Sequence, residues 1–369
     1  MNDIVGRSGR NDLVDVAKGI GMIFVIAGHN PLLMHQASVL MPFIYSFHMP
    51  LFFLLSGIYF KVNSDFKDFL RVKSDALLKP YIIVVALTSL AYCVSGNDLI
   101  NLLMGDIYST TYTIDSHAIP LWFLPTLFVT MVASWCIMRI KKVTKISDFH
   151  LGIFCFFMLV AGAIFIRVFF PYDIPFGAVG GTMKTWVSHG LPWGIDIIPL
   201  TSAYFLLGYL LKDKILKITW DARKFIVAAM ILFVMWQIST ATMDLAIRRY
   251  QGIFMVTLKT FVTIYCAILI SKKVTEWKII NAALAFLGEN SLTIFLFHSL
   301  IETTILQYFK DSGMRWGRAG ALALILTVIL SALLSLIITH SRLLSYLLTP
   351  HKKAGGIQTP VGAATGIGS

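Results

Sequence analysis

The sequence predicts an all-α, polytopic membrane bundle of about ten helices with both termini in the cytoplasm. Three observations predict it. Hydrophobic residues make up 57% of the 369 residues and charged residues 14%, where soluble domains carry about 25% charged. Apolar stretches of membrane-spanning length recur from one end of the chain to the other. The basic residues between them alternate: external segments hold only Arg167, Lys184, Arg248, Arg249, Lys310, Arg315 and Arg318 of the 31 Lys and Arg, and Lys259 lies inside a span. By the positive-inside rule the richer segments, including both ends, face the cytoplasm.

The spans fall at 13–34, 40–60, 80–95, 120–140, 150–170, 189–211, 224–243, 252–271, 281–308 and 318–340. One membrane domain over 1–349 accounts for all of them. The tail from 350 to 369 is Gly-rich, small and aperiodic, and reads as a disordered cytoplasmic extension. The net charge of +12 does not point to nucleic acid, because the basic residues are spread through short loops. Cys93, Cys136, Cys155 and Cys266 all fall inside apolar spans with no metal spacing, so they read as small core residues and no metal is expected. The first span lacks a small-residue cleavage site and is read as a retained helix.

That first span carries ionisable groups a membrane helix should avoid. Asp15, Lys18, Met22, Ile26 and His29 advance by three or four residues and share one helical stripe. Lys18 and His29 are then roughly 16 Å apart along the axis, which puts a charge at one surface and a titratable ring deep in the bilayer. Intramembrane ionisable residues face protein or water and mark functional sites. The structural alternative is that Lys18 snorkels and His29 joins helices.

The second span, 40–60, contains His48. The loop that follows, 61–79, sets Phe66, Phe69, Leu70, Leu77 and Leu78 against Lys61, Lys67, Arg71, Lys73 and Lys79 at helical spacing. It reads as an interfacial amphipathic helix that binds anionic headgroups of membrane lipids. In the sharper reading Arg71, Lys73 and Lys79 join Lys18 around the phosphates of a donor, since all four lie on the cytoplasmic side.

External segments differ. Residues 96–119 contain Asp98, Asp106, Asp115 and His117 without Lys or Arg, and 171–196 contain Tyr172, Asp173, Trp186, His189, Trp193 and Asp196 among glycines. Flat rings beside carboxylates suit a sugar, the rings covering its apolar faces and Asp its hydroxyls; an aromatic belt is the alternative. Asp196 follows Pro192 and Gly194, where a helix breaks around a cavity. In the ninth span Glu289 and His298 face opposite sides of one helix, whereas Ser291 and His298 share a face. That pair belongs either to a reaction chamber or to helix packing.

Several of these residues stand in a familiar order. Asp15-x-x-Lys18, then Gly28-His29, then Phe47-His48-Met49-Pro50-Leu51-Phe52-Phe53 and Ser56-Gly57, resemble the integral-membrane acyltransferase-3 family, in particular its fucose-acetylase-like and surface-polysaccharide O-acetyltransferase branch. Leu121-Trp122-Phe123-Leu124-Pro125 and Leu287-Gly288-Glu289-Asn290-Ser291-Leu292 leading to His298 extend the resemblance to most of the chain. Many members carry Arg where this chain has Lys18, a point charge in place of a bidentate fork.

The resemblance implies a bacterial inner-membrane O-acetyltransferase that uses acetyl-CoA and modifies a lipid-linked or exported cell-surface glycan. It implies His29 and His48 as catalytic residues, with Lys18, Arg71, Lys73 and Lys79 on the donor. Asp15, Trp122, Trp193, Asp196, Ser291 and His298 form the candidate acceptor-side set. A thioester-to-hydroxyl transfer needs a group that accepts and returns a proton, and His29 is the choice for it. The competing readings are a multi-span transporter of a polar lipid or solute, or a sensor on the same scaffold. The sequence leaves the oligomeric state open.

Overall fold

The computed structural model describes residues 11–36, 40–62, 65–94, 96, 98–114, 118–170 and 189–350. The tail beyond 350 and the residues Asp115, His117, Tyr172, Asp173 and Trp186 lie outside them. The described chain is a bundle of α-helices with one two-stranded hairpin.

In chain order the helices are α1 (Asp12–His29), α2 (Pro31–Gln36), α3 (Leu40–Ile58), α4 (Phe66–Lys73), α5 (Lys79–Val94), α6 (Leu99–Tyr108), α7 (Phe123–Thr144) and α8 (Asp148–Phe169). There follow α9 (Ile198–Leu216), α10 (Ala222–Ile238), α11 (Ile253–Val274), α12 (Lys278–Glu289), α13 (Ser291–Asp311), α14 (Trp316–His340) and α15 (Arg342–Leu348). Strands β1 (Met243–Asp244) and β2 (Arg249–Tyr250) pair antiparallel between α10 and α11.

Eight helical segments are long and apolar enough to cross a membrane. Helix α1, whose 18 residues include Asp12, Asp15 and Lys18, and α10, with 17 residues, occupy the other two expected spans. Two boundaries differ from the sequence reading. The basic segment is not a separate interfacial helix: α4 runs through a π turn at Ser74–Leu78 straight into α5, so residues 66–94 form one rod. The ninth span breaks at Asn290, whose backbone leaves helical geometry between α12 and α13.

Two crossings hold the centre, and both rest on glycine pairs. A Cβ on Gly57 of α3 would overlap the carbonyl oxygen of Phe205 on α9, and one on Gly208 of α9 would overlap that of Leu54 on α3. Helices α1 and α12 meet in the same reciprocal way, Gly19 against the Leu284 carbonyl and Gly288 against that of Asp15. Small residues let membrane helices approach backbone to backbone, where dispersion replaces the missing hydrophobic drive. Around the crossings pack Phe47, Leu51, Phe53 and Leu54 of α3 with Tyr204 and Phe205 of α9, all buried. The α1–α3 region is thereby fixed by backbone contact, and it carries the site.

Candidate functional site

Helix α1 stops where its sequence reads His29-Asn30-Pro31. A residue before proline is pushed out of the α region, and Asn30 adopts φ −87° and ψ 97°. His29 is therefore the final residue of α1 and projects from a helix end. The depth read from the sequence assumed a span running to residue 34; the break at Asn30 places the ring at the end of the helix.

Three helices bring aromatic and imidazole rings together there. His29 lies 5.5 Å from His298 of α13 and 6.4 Å from Tyr45 of α3, centroid to centroid. Tyr45 is in turn 5.1 Å from His48, one helical turn along α3. The Tyr45 hydroxyl donates to the Gly28 carbonyl at 3.0 Å, one of those left free where α1 ends.

The hydrogen bonds assign two tautomers. His48 Nδ1 sits 2.7 Å from the Ile44 carbonyl and His298 Nδ1 sits 2.9 Å from that of Phe295. A carbonyl only accepts, so Nδ1 carries the proton in both rings and Nε2 presents a lone pair. His48 can accept a hydrogen bond from a hydroxyl in front of it, with its ring already oriented from behind.

These groups face a cavity of about 480 Å³. His29, Tyr45, His48 and Trp122 line it on one side, Asp244 and Arg249 of the hairpin on another, and Met49, Pro120, Ile247 and Phe295 supply apolar wall. A few convergent polar groups on a mostly apolar concavity are what small-molecule sites present. Burial pushes the Asp244 carboxyl up to about 6, against the pull of the Ala246 N–H and of Arg249. Its Oδ1 accepts from Ala246 N at 2.9 Å.

The hairpin is anchored at two points. Arg248 is buried and binds both oxygens of Asp196, Nε to Oδ2 at 2.7 Å and Nη2 to Oδ1 at 3.1 Å. Thr111 Oγ1 donates to the Ala246 carbonyl at 2.9 Å, and both residues line the cavity.

The remaining sequence candidates divide. Trp122 lines the cavity and His298 stands behind it against His29. Asp196 has its carboxylate engaged by Arg248 and by Leu191 N at 3.0 Å. Trp193 is held in a left-handed turn, φ 56°, with its indole N–H on the Ile107 carbonyl at 2.7 Å. Both brace the hairpin's surroundings and neither lines the cavity. Ser291 begins α13 and is separated from His298 by about two turns. Asp15 is buried in the α1–α12 crossing, and half-buried Lys18 lies eleven residues before His29 on the same continuous helix.

Among the basic residues, Lys79 bridges to Asp75 at 2.9 Å and donates to the carbonyls of Tyr346 and Thr349 at 2.7 and 2.9 Å. It clasps α15 to α5. Arg71 is exposed and Lys73 half-buried on α4.

Tyr45, Asp244 and Arg249 are cavity residues that the sequence reading did not single out. Tyr45 was visible as a polar group three residues before His48. Arg248 and Arg249 were visible as two arginines on the side of the membrane that the positive-inside rule depletes.

The acyltransferase domain model of the acyltransferase-3 family matches residues 11–340. The chain belongs to the acyltransferase-3 family. No curated protein and no solved structure is significantly similar to it. As an acyltransferase-3 protein it is a multi-pass membrane acyltransferase, and the match runs through every helix that contributes to the cavity.

Proposed function

We propose that this acyltransferase moves an acetyl group from cytoplasmic acetyl-CoA to a sugar hydroxyl of a lipid-linked or exported glycan, with His29 as the general base. The observation that carries the reading is the convergence of His29, His48 and Tyr45 on one cavity, at the end of the helix that bears Lys18.

Two geometric features support a two-sided reaction. The cavity is walled by segments around Thr111, Trp122 and the hairpin, which the distribution of Lys and Arg assigns to the external side. Lys18 sits roughly 16 Å away along α1, toward the cytoplasmic and more basic end, together with Arg71 and Lys73 of α4. A cation there suits the phosphates of coenzyme A, and the long pantetheine arm suits the separation.

In the transfer, a His29 ring nitrogen takes the proton of the acceptor hydroxyl as its oxygen forms the new bond to the acyl carbon. The carbon–sulfur bond breaks, and the imidazolium returns the proton to the departing thiolate. No net proton is produced. His48 Nε2 accepts from the acceptor's hydroxyls and orients the sugar, while Asp244 and Arg249 address groups on its far side. Trp122 supplies the flat apolar surface that covers a pyranose face.

The test is transfer itself. Vesicles containing the protein, given labelled acetyl-CoA outside the cytoplasmic face and a glycan extract, are expected to place label covalently on glycan. Surface-glycan mass spectrometry with and without the protein is expected to show the matching acetyl increment. Solute flux without covalent change would replace this reading with that of a carrier.

A further inference from the structure

A guanidinium stands in the cavity wall without a countercharge. Arg249 of β2 lines the cavity, half-buried, and among the described residues it makes no hydrogen bond and no ion pair. Its neighbour Arg248 shows what such a group ordinarily finds, since it grips both oxygens of Asp196. External segments hold few of the 31 Lys and Arg, so two adjacent arginines there run against the charge rule of the membrane. The first braces the hairpin. The second faces the cavity.

The carboxyl opposite does not pair with it. Asp244 stands across from Arg249 in the register of the hairpin, so the two share one face of the strands. Its Oδ1 is turned back onto the Ala246 N–H at 2.9 Å, an Asx turn that closes the loop between the strands. A carboxylate paired with a guanidinium is held below its ordinary value. Asp244 is instead pushed up to about 6 by burial, and the pull of Arg249 on it is weaker than that of the Ala246 N–H. Tyr112, also within electrostatic range of Arg249, is a phenol.

A guanidinium keeps its charge at any physiological pH, and removing water from it without a partner is costly. The wall around it is mostly apolar, from Met49, Pro120, Ile247 and Phe295. An occupant that brings an anion offsets that cost, and a neutral one increases it. Coenzyme A is not that occupant on the acyl-transfer reading, because its phosphates sit beside Lys18, roughly 16 Å from His29 toward the cytoplasm. We propose that the acceptor is an acidic glycan and that Arg249 binds its negative group, a uronate carboxylate or the phosphate that joins a sugar to its lipid.

The two sources present the same chemistry, oxygens that share a negative charge, and the guanidinium fork meets two of them with parallel N–H bonds. Arg249 then selects which acceptors enter and fixes their register. The anion is held on the hairpin side of the cavity, and the reacting hydroxyl lies on the side of His29 and His48. No bond to Arg249 forms or breaks in the transfer. That the occupant is an acceptor rests on the acyl-transfer reading, whereas the anion site does not.

Unfolding midpoints of the purified full chain in lipid nanodiscs read the site whether or not the enzyme turns over. Two matched pairs of probes separate the sources: methyl glucuronide against methyl glucoside, and farnesyl phosphate against farnesol. At least one anion is expected to raise the midpoint above its neutral counterpart, and the pair that responds identifies the group. That rise is expected to vanish in Arg249→Gln and to survive in part in Arg249→Lys. No rise with either anion, an equal rise with the neutral counterparts, or an undiminished rise in Arg249→Gln overturns the site. In the transfer assay Arg249→Gln is expected to raise the acceptor KM about tenfold or more with the acetyl-CoA KM unchanged. An unchanged acceptor KM overturns the role. Wild-type protein that responds to an anion yet transfers no acyl group refutes the acyl-transfer reading instead and leaves the anion site standing.

Discussion

Arg248 and Asp196 form a buried, two-point ion pair, 2.7 and 3.1 Å, that fastens the β1–β2 hairpin to the turn before α9. The hairpin carries Asp244 and Arg249 into the cavity, so a contact outside the site determines part of its shape. Removing one partner leaves the other charge buried and alone. Asp196→Ala or Arg248→Ala is expected to cost about 3–5 kcal/mol of stability, and the double replacement by apolar residues to cost less than either. Thermal unfolding in nanodiscs measures this; additive losses would show that the two residues do not act as a pair.

Asp244 gives the site a pH signature. Its folded value of about 6 lies above that of the unfolded chain, so the protonated form favours the fold. That contribution is complete below about pH 4 and lost as pH rises through about 6. Asp244→Asn is therefore expected to raise stability on the order of 1–2 kcal/mol at about pH 8 and to leave it unchanged at about pH 4. Unfolding midpoints of both proteins at the two pH values decide it. An equal effect at both would mean that the carboxyl is not held in a desolvated state.

The glycine crossings predict damage without any loss of chemistry. Gly57→Ala and Gly288→Ala each push a methyl into a backbone carbonyl of the facing helix, and backbone cannot swing aside as a side chain can. Each is expected to destabilise by about 1–3 kcal/mol. Gly152→Ala, where a methyl would meet nothing within 4 Å, is expected to be neutral. Comparable losses at Gly152 would refute the close-approach account.

How much of this was legible in the sequence follows from the physics of each feature. Span positions were readable because the bilayer imposes a long apolar run on each helix, and that signal is local. His29 and His48 were readable for the same reason, as polar residues where apolar ones belong. The partners of a buried group were not. That Asp196 is taken by Arg248, 52 residues on, depends on how a loop folds back, and neither neighbourhood advertises it. Lys79 looked like a phosphate ligand because its pattern is cationic; its commitment to α15 is to the Tyr346 carbonyl, 267 residues downstream.

Lys18 tests the donor side. A point charge on the donor's phosphates contributes to binding before and during transfer alike. Lys18→Ala is then expected to raise the acetyl-CoA KM about tenfold or more with a smaller change in kcat, and Lys18→Arg to stay near wild type. Steady-state kinetics in proteoliposomes separate the two constants. Equal KM for the Ala and Arg variants would argue against phosphate contact.

The most direct measurement is transfer of labelled acetyl to glycan by His29→Gln at matched protein level and matched unfolding midpoint. A loss of roughly a hundredfold or more is expected, because the glutamine amide cannot take the acceptor's proton as an imidazole does. Transfer at the wild-type rate would contradict it and move the base to His48.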